Sequence, residues 1–155
     1  MPLISLEDCR RAFSLAPHVA ELGIVPVEVG EGRVTSELRI ERRHLQHSGV
    51  VHAGVLATMA DHTMGFAAQS VAPEGLLVLT AELKCSLLRG ARGERLECEA
   101  RVLKPGRSLT FTEAEVYAVE GGRRSLVFKA SATMALTPMP PGVSLRAAPA
   151  TAANG

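Results

Sequence analysis

The sequence predicts an α+β fold in which one long helix is wrapped by a six-stranded antiparallel sheet. Three observations carry this expectation. Residues 52–70 form one apolar stretch rich in Ala, Leu and Met, with no proline. Six segments around it read as extended, two before and four after, and most alternate apolar and polar residues at the period of a strand. The links between neighbouring strands are short and contain glycine, which favours antiparallel pairing.

The elements follow in order. Residues 5–22 read as one or two short helices. Ser5 can cap the first, with Asp8 three residues on in a loose capping-box pattern. Leu6, Cys9, Phe13 and Ala16 recur at helical spacing. Pro17 breaks this segment, and a second short turn runs through Val19 and Leu22. Ile24 to Val29 is extended, Gly30-Glu31-Gly32 is a turn, and Arg33 to Ile40 alternates, which makes a hairpin. A polar stretch then leads to the long helix over 52–70, which would span roughly 28 Å. Four strands follow: Leu76 to Leu88, Glu94 to Leu103, Ser108 to Val119 and Arg124 to Leu136. In the first of them Leu79, Ala81, Leu83, Cys85 and Leu87 fall on one face, opposite Thr80, Glu82, Lys84 and Ser86. Residues 1–137 therefore read as one domain with an N-terminal helical segment over 1–22. The tail 138–155 is rich in Pro and Ala without periodicity and reads as disordered.

Composition narrows the function. A net charge of +1 argues against bulk nucleic-acid binding. No run of about 18 apolar residues exists, so no membrane span is expected. Glu7 and Asp8 stand where a signal peptide needs an apolar run. Cys9, Cys85 and Cys98 form no CxxC pair, which suits reduced thiols. A cytoplasmic protein is the expectation. His47 and His52 are five residues apart and His62 adjoins Asp61. Neither is a recognised ligand spacing, so no metal is expected. His18 and His44 read as surface residues.

The chemistry concentrates between Gln46 and Asp61, in the run QHSGVVHAGVLATMAD. Asp61 lies mid-helix in an apolar sequence, where an ionised carboxylate is costly without partners. Helical spacing puts it on a stripe with Gly54, Ala57, Gly65 and Ala68, small residues that leave room beside it. It either bonds a neighbouring loop and fixes register, or it faces a reactant. The helix start adds weight to the second reading. Its first N–H groups have no internal partner and carry the positive end of the dipole, so they suit a developing oxyanion. Ala53 and Gly54 would not obstruct that approach. Asp61 is nine residues after His52, roughly 13 Å along a helix. That is too far for both to touch one reacting carbon, so a site using both needs a second chain.

This pattern, an amide residue, then Gly-x-x-His-Ala-Gly, then Asp nine residues after the His, resembles the hotdog-fold acyl-CoA thioesterases of the phenylacetate-degradation (PaaI-like) type. The resemblance covers about residues 20–137 and includes the segment RVLKPGRSLTFT over 101–112. It implies hydrolysis of acyl-CoA thioesters, with coenzyme A as part of the substrate and no separate cofactor. By position, Asp61 would be general base or nucleophile, and the Ala53 N–H would polarise the thioester carbonyl. His52 would orient the loop, Gln46 would place the carbonyl or the water, and Thr80 would assist the water. Gly54, Arg89, Lys104, Gly106 and Arg107 would contact the substrate or its coenzyme A. For the basic residues, a solvated edge is the other reading. The family pattern often has Asn at position 46 and Gly at position 53, and Gln46 and Ala53 depart from it. The resemblance also implies a homo-oligomer, at least a dimer and by analogy a tetramer. Two alternatives stand beside this one. A hotdog enoyl-CoA hydratase or dehydratase would use other motifs, and neither His-Phe-Pro nor Asp-x-Asn-Pro occurs. A non-catalytic acyl-CoA-binding protein is the second.

Overall fold

The computed structural model describes residues 4–146. Helix α1 spans Leu6–Leu15, and the reciprocal Ser5–Asp8 capping box is formed. Helix α2 spans Pro17–Leu22. Pro17 therefore starts a helix as well as ending one, because its missing N–H costs nothing in a first turn. Strands β1 (Val25–Gly30) and β2 (Arg33–Arg39) form the hairpin. A 3-10 turn over Arg42–His44 leads to α3, Ala53–Gln69. Strands β3 (Leu76–Leu87), β4 (Arg95–Lys104), β5 (Leu109–Glu120) and β6 (Arg123–Pro138) complete one sheet. Its order is β1-β2-β4-β5-β6-β3, antiparallel throughout.

The sheet packs around one side of α3. Val55, Leu56, Met59, Ala60, Met64 and Ala67 of the helix are buried against Leu38, Leu96, Val116, Phe128 and Met134 of the sheet. Aliphatic burial of this kind is the main source of stability here. Phe13 of α1 covers part of the helix that the sheet leaves open. The expected stripe of small residues lies on the less covered side. Gly54, Ala57, Asp61 and Gly65 are exposed or half-buried, while Ala68 departs from it and is buried.

Two expectations are corrected. The alternation of β3 is not continuous, because the register against β6 shifts between Thr80 and Glu82. Ala81 is the inserted residue of a β-bulge, which reverses the faces. Val78, Thr80, Leu83 and Cys85 turn inward, and Leu79 is 51% exposed. Second, His44 is buried, not on the surface. Its Nδ1 accepts the Glu41 N–H at 2.9 Å, so its Nε2 carries the proton and donates to Leu22 O at 2.8 Å. The described part of the proline-rich tail, residues 138–146, is mostly exposed and is tied to the body by hydrogen bonds. The Met139 N–H donates to Gly75 O at 2.8 Å, and the Arg11 guanidinium donates to Arg146 O at 2.7 Å. The rest of the expected disordered tail, 147–155, lies outside the described residues.

Candidate active site

The loop from Gln46 to His52 sets up the start of α3. The Gln46 N–H donates to Val50 O and the Gly49 N–H to Gln46 O, both at 2.9 Å. Gly49 has φ +80°, which glycine adopts without strain. The loop is tied to the body at three further points. The Val51 N–H donates to Ala91 O at 3.0 Å and the His52 N–H to His44 O at 2.8 Å. The guanidinium of Arg92 donates to Gly49 O at 3.0 Å and to Ser48 O at 3.3 Å.

His52 is the N-cap of α3, and its Nδ1 accepts the Gly54 N–H at 2.9 Å. That removes Gly54 from the set of free donors. The Ala53 N–H meets no acceptor among the described residues, and Ala53 is exposed. One donor is thus left at the positive end of a 17-residue helix. Gln46 puts its amide to local use, donating to Ser48 Oγ at 2.6 Å and accepting the Ser48 N–H at 3.0 Å. Gln46, His52, Ala53, Leu87 and Arg89 line a cleft of about 550 Å³.

Asp61 lies on a different surface. Its Oδ1 accepts the Thr80 hydroxyl at 2.6 Å. The bulge at Ala81 makes this contact possible by turning Thr80 inward. Asp61, Gly65 and Thr80 share a cleft of about 680 Å³. Ala53 and Asp61 are eight residues apart on one helix, about 12 Å. Lys104, Gly106 and Arg107 sit at the exposed end of the β4–β5 hairpin and line neither cleft. A Cβ on Gly106 would lie 2.2 Å from Leu109 O, so the turn requires glycine there.

Further side chains near the site have surroundings that no sequence motif announces. Arg92, a basic residue in the turn before β4, clamps the loop that presents Ala53. His62 sits edge-on against Phe13 at 4.3 Å and beside Phe66 at 5.1 Å. Its Nε2 is buried without a partner, and burial pushes the ring down to about 4, so it is neutral at physiological pH. Burial pushes the Cys9 and Cys98 thiols up to about 12, which makes them poor nucleophiles. Among the described residues no three His, Cys, Asp or Glu side chains are grouped as a metal site, and no helix is long and apolar enough to cross a membrane.

Comparison with known proteins places this architecture. Residues 48–127 match the family model described as the thioesterase superfamily. The chain is 30% identical over 105 residues to the proofreading thioesterase EntH of Klebsiella pneumoniae, covering 68% of this chain and 77% of that one. It is 29% identical over 117 residues to human acyl-coenzyme A thioesterase 13, covering 72% and 81%. A crystal structure of a thioesterase family protein from Silicibacter pomeroyi superposes with a TM-score of 0.82 at 34% identity, over 86% of this chain and 98% of that one. The single helix in its antiparallel wrap is the hotdog fold, and the chain belongs to the thioesterase superfamily as a thioester hydrolase.

Proposed function

We propose that the substrates are acyl-CoA thioesters and that each site is shared between two copies of the chain. The observation that carries this is the unpartnered Ala53 N–H, about 12 Å from an Asp61 held by Thr80. One subunit supplies the carboxylate and its neighbour supplies the oxyanion donor. In the base route, Asp61 takes a proton from water as its oxygen attacks the carbonyl carbon. In the nucleophile route, a carboxylate oxygen attacks first and water then cleaves the anhydride. In both, the carbonyl electrons move onto oxygen opposite the Ala53 N–H, and collapse expels the thiolate of coenzyme A, which takes up a proton. The thiolate is a good leaving group, so a carboxylate and an oxyanion donor suffice. No resident cofactor enters this scheme.

The edge of the sheet supports a second copy. β3 is a terminal strand of 12 residues, and an unpaired strand edge is a template for another chain. Arg89 lines the Ala53 cleft and is the first candidate for a coenzyme A phosphate. Lys104 and Arg107 have no ion pair among the described residues and are exposed, with Gly106 shaping their turn. They would reach the nucleotide of a thioester bound across two subunits. The name of the human relative, acyl-coenzyme A thioesterase 13, is consistent with this substrate class. The test is thiol release from a panel of acyl-CoAs. Asp61→Asn should lower kcat by at least about a hundredfold with the assembly intact. Undiminished turnover of every active acyl-CoA by that variant would refute the assignment.

A further inference from the structure

The cleft that holds Asp61 runs on past the carboxylate. It lies between α1, α3, the start of β3 and the segment 142–145. Its apolar walls include Leu15, Phe66, Val78, Val143 and Leu145. Leu15 is 64% exposed and Val143 45% exposed, so two large aliphatic side chains face this open space. Exposed apolar surface that converges on one cleft marks a ligand site more often than scattered residues do.

Gly65 is the informative residue. It sits one turn after Asp61 in the interior of α3, where glycine weakens a helix relative to alanine. Its backbone does not require glycine, since it is not among the residues with positive φ. Nor does packing require it, because a Cβ there would meet nothing within 4 Å. What its missing side chain does is keep the floor of the cleft open beside Asp61.

The roof is held at both ends. The Met139 N–H donates to Gly75 O at 2.8 Å, and Arg146 accepts through its carbonyl from Arg11 and pairs with Glu74 at 3.5 Å. Residues 139–146 of the roof lie outside the stretch matched by the family model, whereas Glu74 and Gly75, which anchor it, lie inside that stretch.

We propose that this cleft receives the hydrocarbon part of the acyl group, with Gly65 keeping it open and Val143 and Leu145 closing it from above. The inference rests on thioester hydrolysis at Asp61. The carbonyl must lie at Asp61 and Thr80, so its chain has this apolar cleft beside it. From Asp61 to Gln69, the far lining residue of α3, the cleft follows eight helical residues, about 12 Å. An extended covalent chain advances roughly 1.2 Å per bond. The cleft therefore suits a linear acyl chain of about ten bonds, a medium-chain fatty acyl group.

The experiment compares decanoyl-CoA with acetyl-CoA in the full chain, and measures decanoate binding by calorimetry. Gly65→Leu should lower the decanoyl-to-acetyl ratio of kcat/KM by at least about tenfold and weaken decanoate binding in parallel. The double variant Val143→Ser/Leu145→Ser, which touches only the roof, should shift both readouts in the same direction. Unchanged ratios and decanoate binding in both variants would overturn the proposal. So would an equal loss on both substrates with a changed oligomeric state, which would make the cleft a contact between copies. If the wild-type chain releases no thiol from either substrate, the acyl-CoA reading fails, and decanoate binding still decides whether the cleft takes a hydrocarbon chain.

Discussion

At the scale of single residues, the ring of His62 has the clearest consequence. It lies among Phe13 and Phe66 with its Nε2 buried and unpartnered, and burial holds it near 4 against 6.5 in the unfolded chain. The unfolded state therefore binds this proton first as pH falls. The contribution of neutral His62 is full above pH 6.5 and is lost progressively between 6.5 and about 4, a total of about 3 kcal/mol. His62→Leu should keep the ring's place apolar and remove that loss. Denaturant midpoints at pH 7.5 and pH 4.5 check it, and a pH dependence unchanged in the variant would contradict this account. Glu97 and Glu115 lose their ion pairs only below the ordinary carboxylate range, so they contribute little to this window. His62, His44 and Arg92 mark where residue-level reading ran out. Phe66 stands four residues after His62 on α3, within reach of helical spacing, but Phe13 comes in from α1. The burial of His44 depends on the Leu22 carbonyl, far away in sequence.

At the scale of elements, the start of α3 permits an unusually clean test. Ala53 is the first helical residue, and His52 before it has φ −62° and ψ 137°, a conformation that a following proline tolerates. Ala53→Pro should therefore keep the helix and delete only the unpartnered N–H. We expect kcat to fall by about a hundredfold or more with little change in thermal stability, as loss of an oxyanion donor requires. A destabilised protein or unaltered turnover would each argue against that role. The elements themselves were legible because their periods are strong. α3 has an apolar composition with no proline, and β2 and most of β4 alternate cleanly against it, whereas β6 carries an extra residue at Val127. The bulge in β3 was not legible, because Leu79, Ala81 and Leu83 are all apolar and imitate unbroken alternation. That one insertion decides whether Thr80 reaches Asp61. Proline and alanine without period likewise give no sign of the hydrogen bonds that Met139 makes to Gly75 and Arg146 to Arg11.

At the scale of the whole molecule, the two halves of the proposed site stand in separate clefts, and only a second copy could unite them. Mixing therefore discriminates. Ala53→Pro chains and Asp61→Asn chains, each nearly inactive, should regain thiol release when refolded together, because a hybrid has one complete site. Mixtures no more active than their parents would place both groups in one chain's site. The outer face of the sheet suits water. Arg124 lies over the Tyr117 ring at 3.4 Å and bonds Glu97, Arg101 pairs with Glu113, and Lys129 reaches Glu115 at 3.1 Å. Exposed pairs of this kind add little stability each, and they discourage apolar stacking of sheet on sheet.

The side chain of Gln69 has a consequence of another kind. Its amide donates to Leu76 O at 2.9 Å and accepts the Val78 N–H at 3.0 Å, which occupies the first outward-facing groups of β3. Farther along, the bulge at Ala81 bends the same border. The opposite border of the sheet, β1, carries Pro26 and its own register shift between Pro26 and Glu28. Both margins are thus blunted, one by a borrowed amide and the other by proline. In the proposed dimer, joining through β3 would leave only the β1 margin outward. Growth of an endless ribbon beyond the proposed dimer would then be opposed at Pro26.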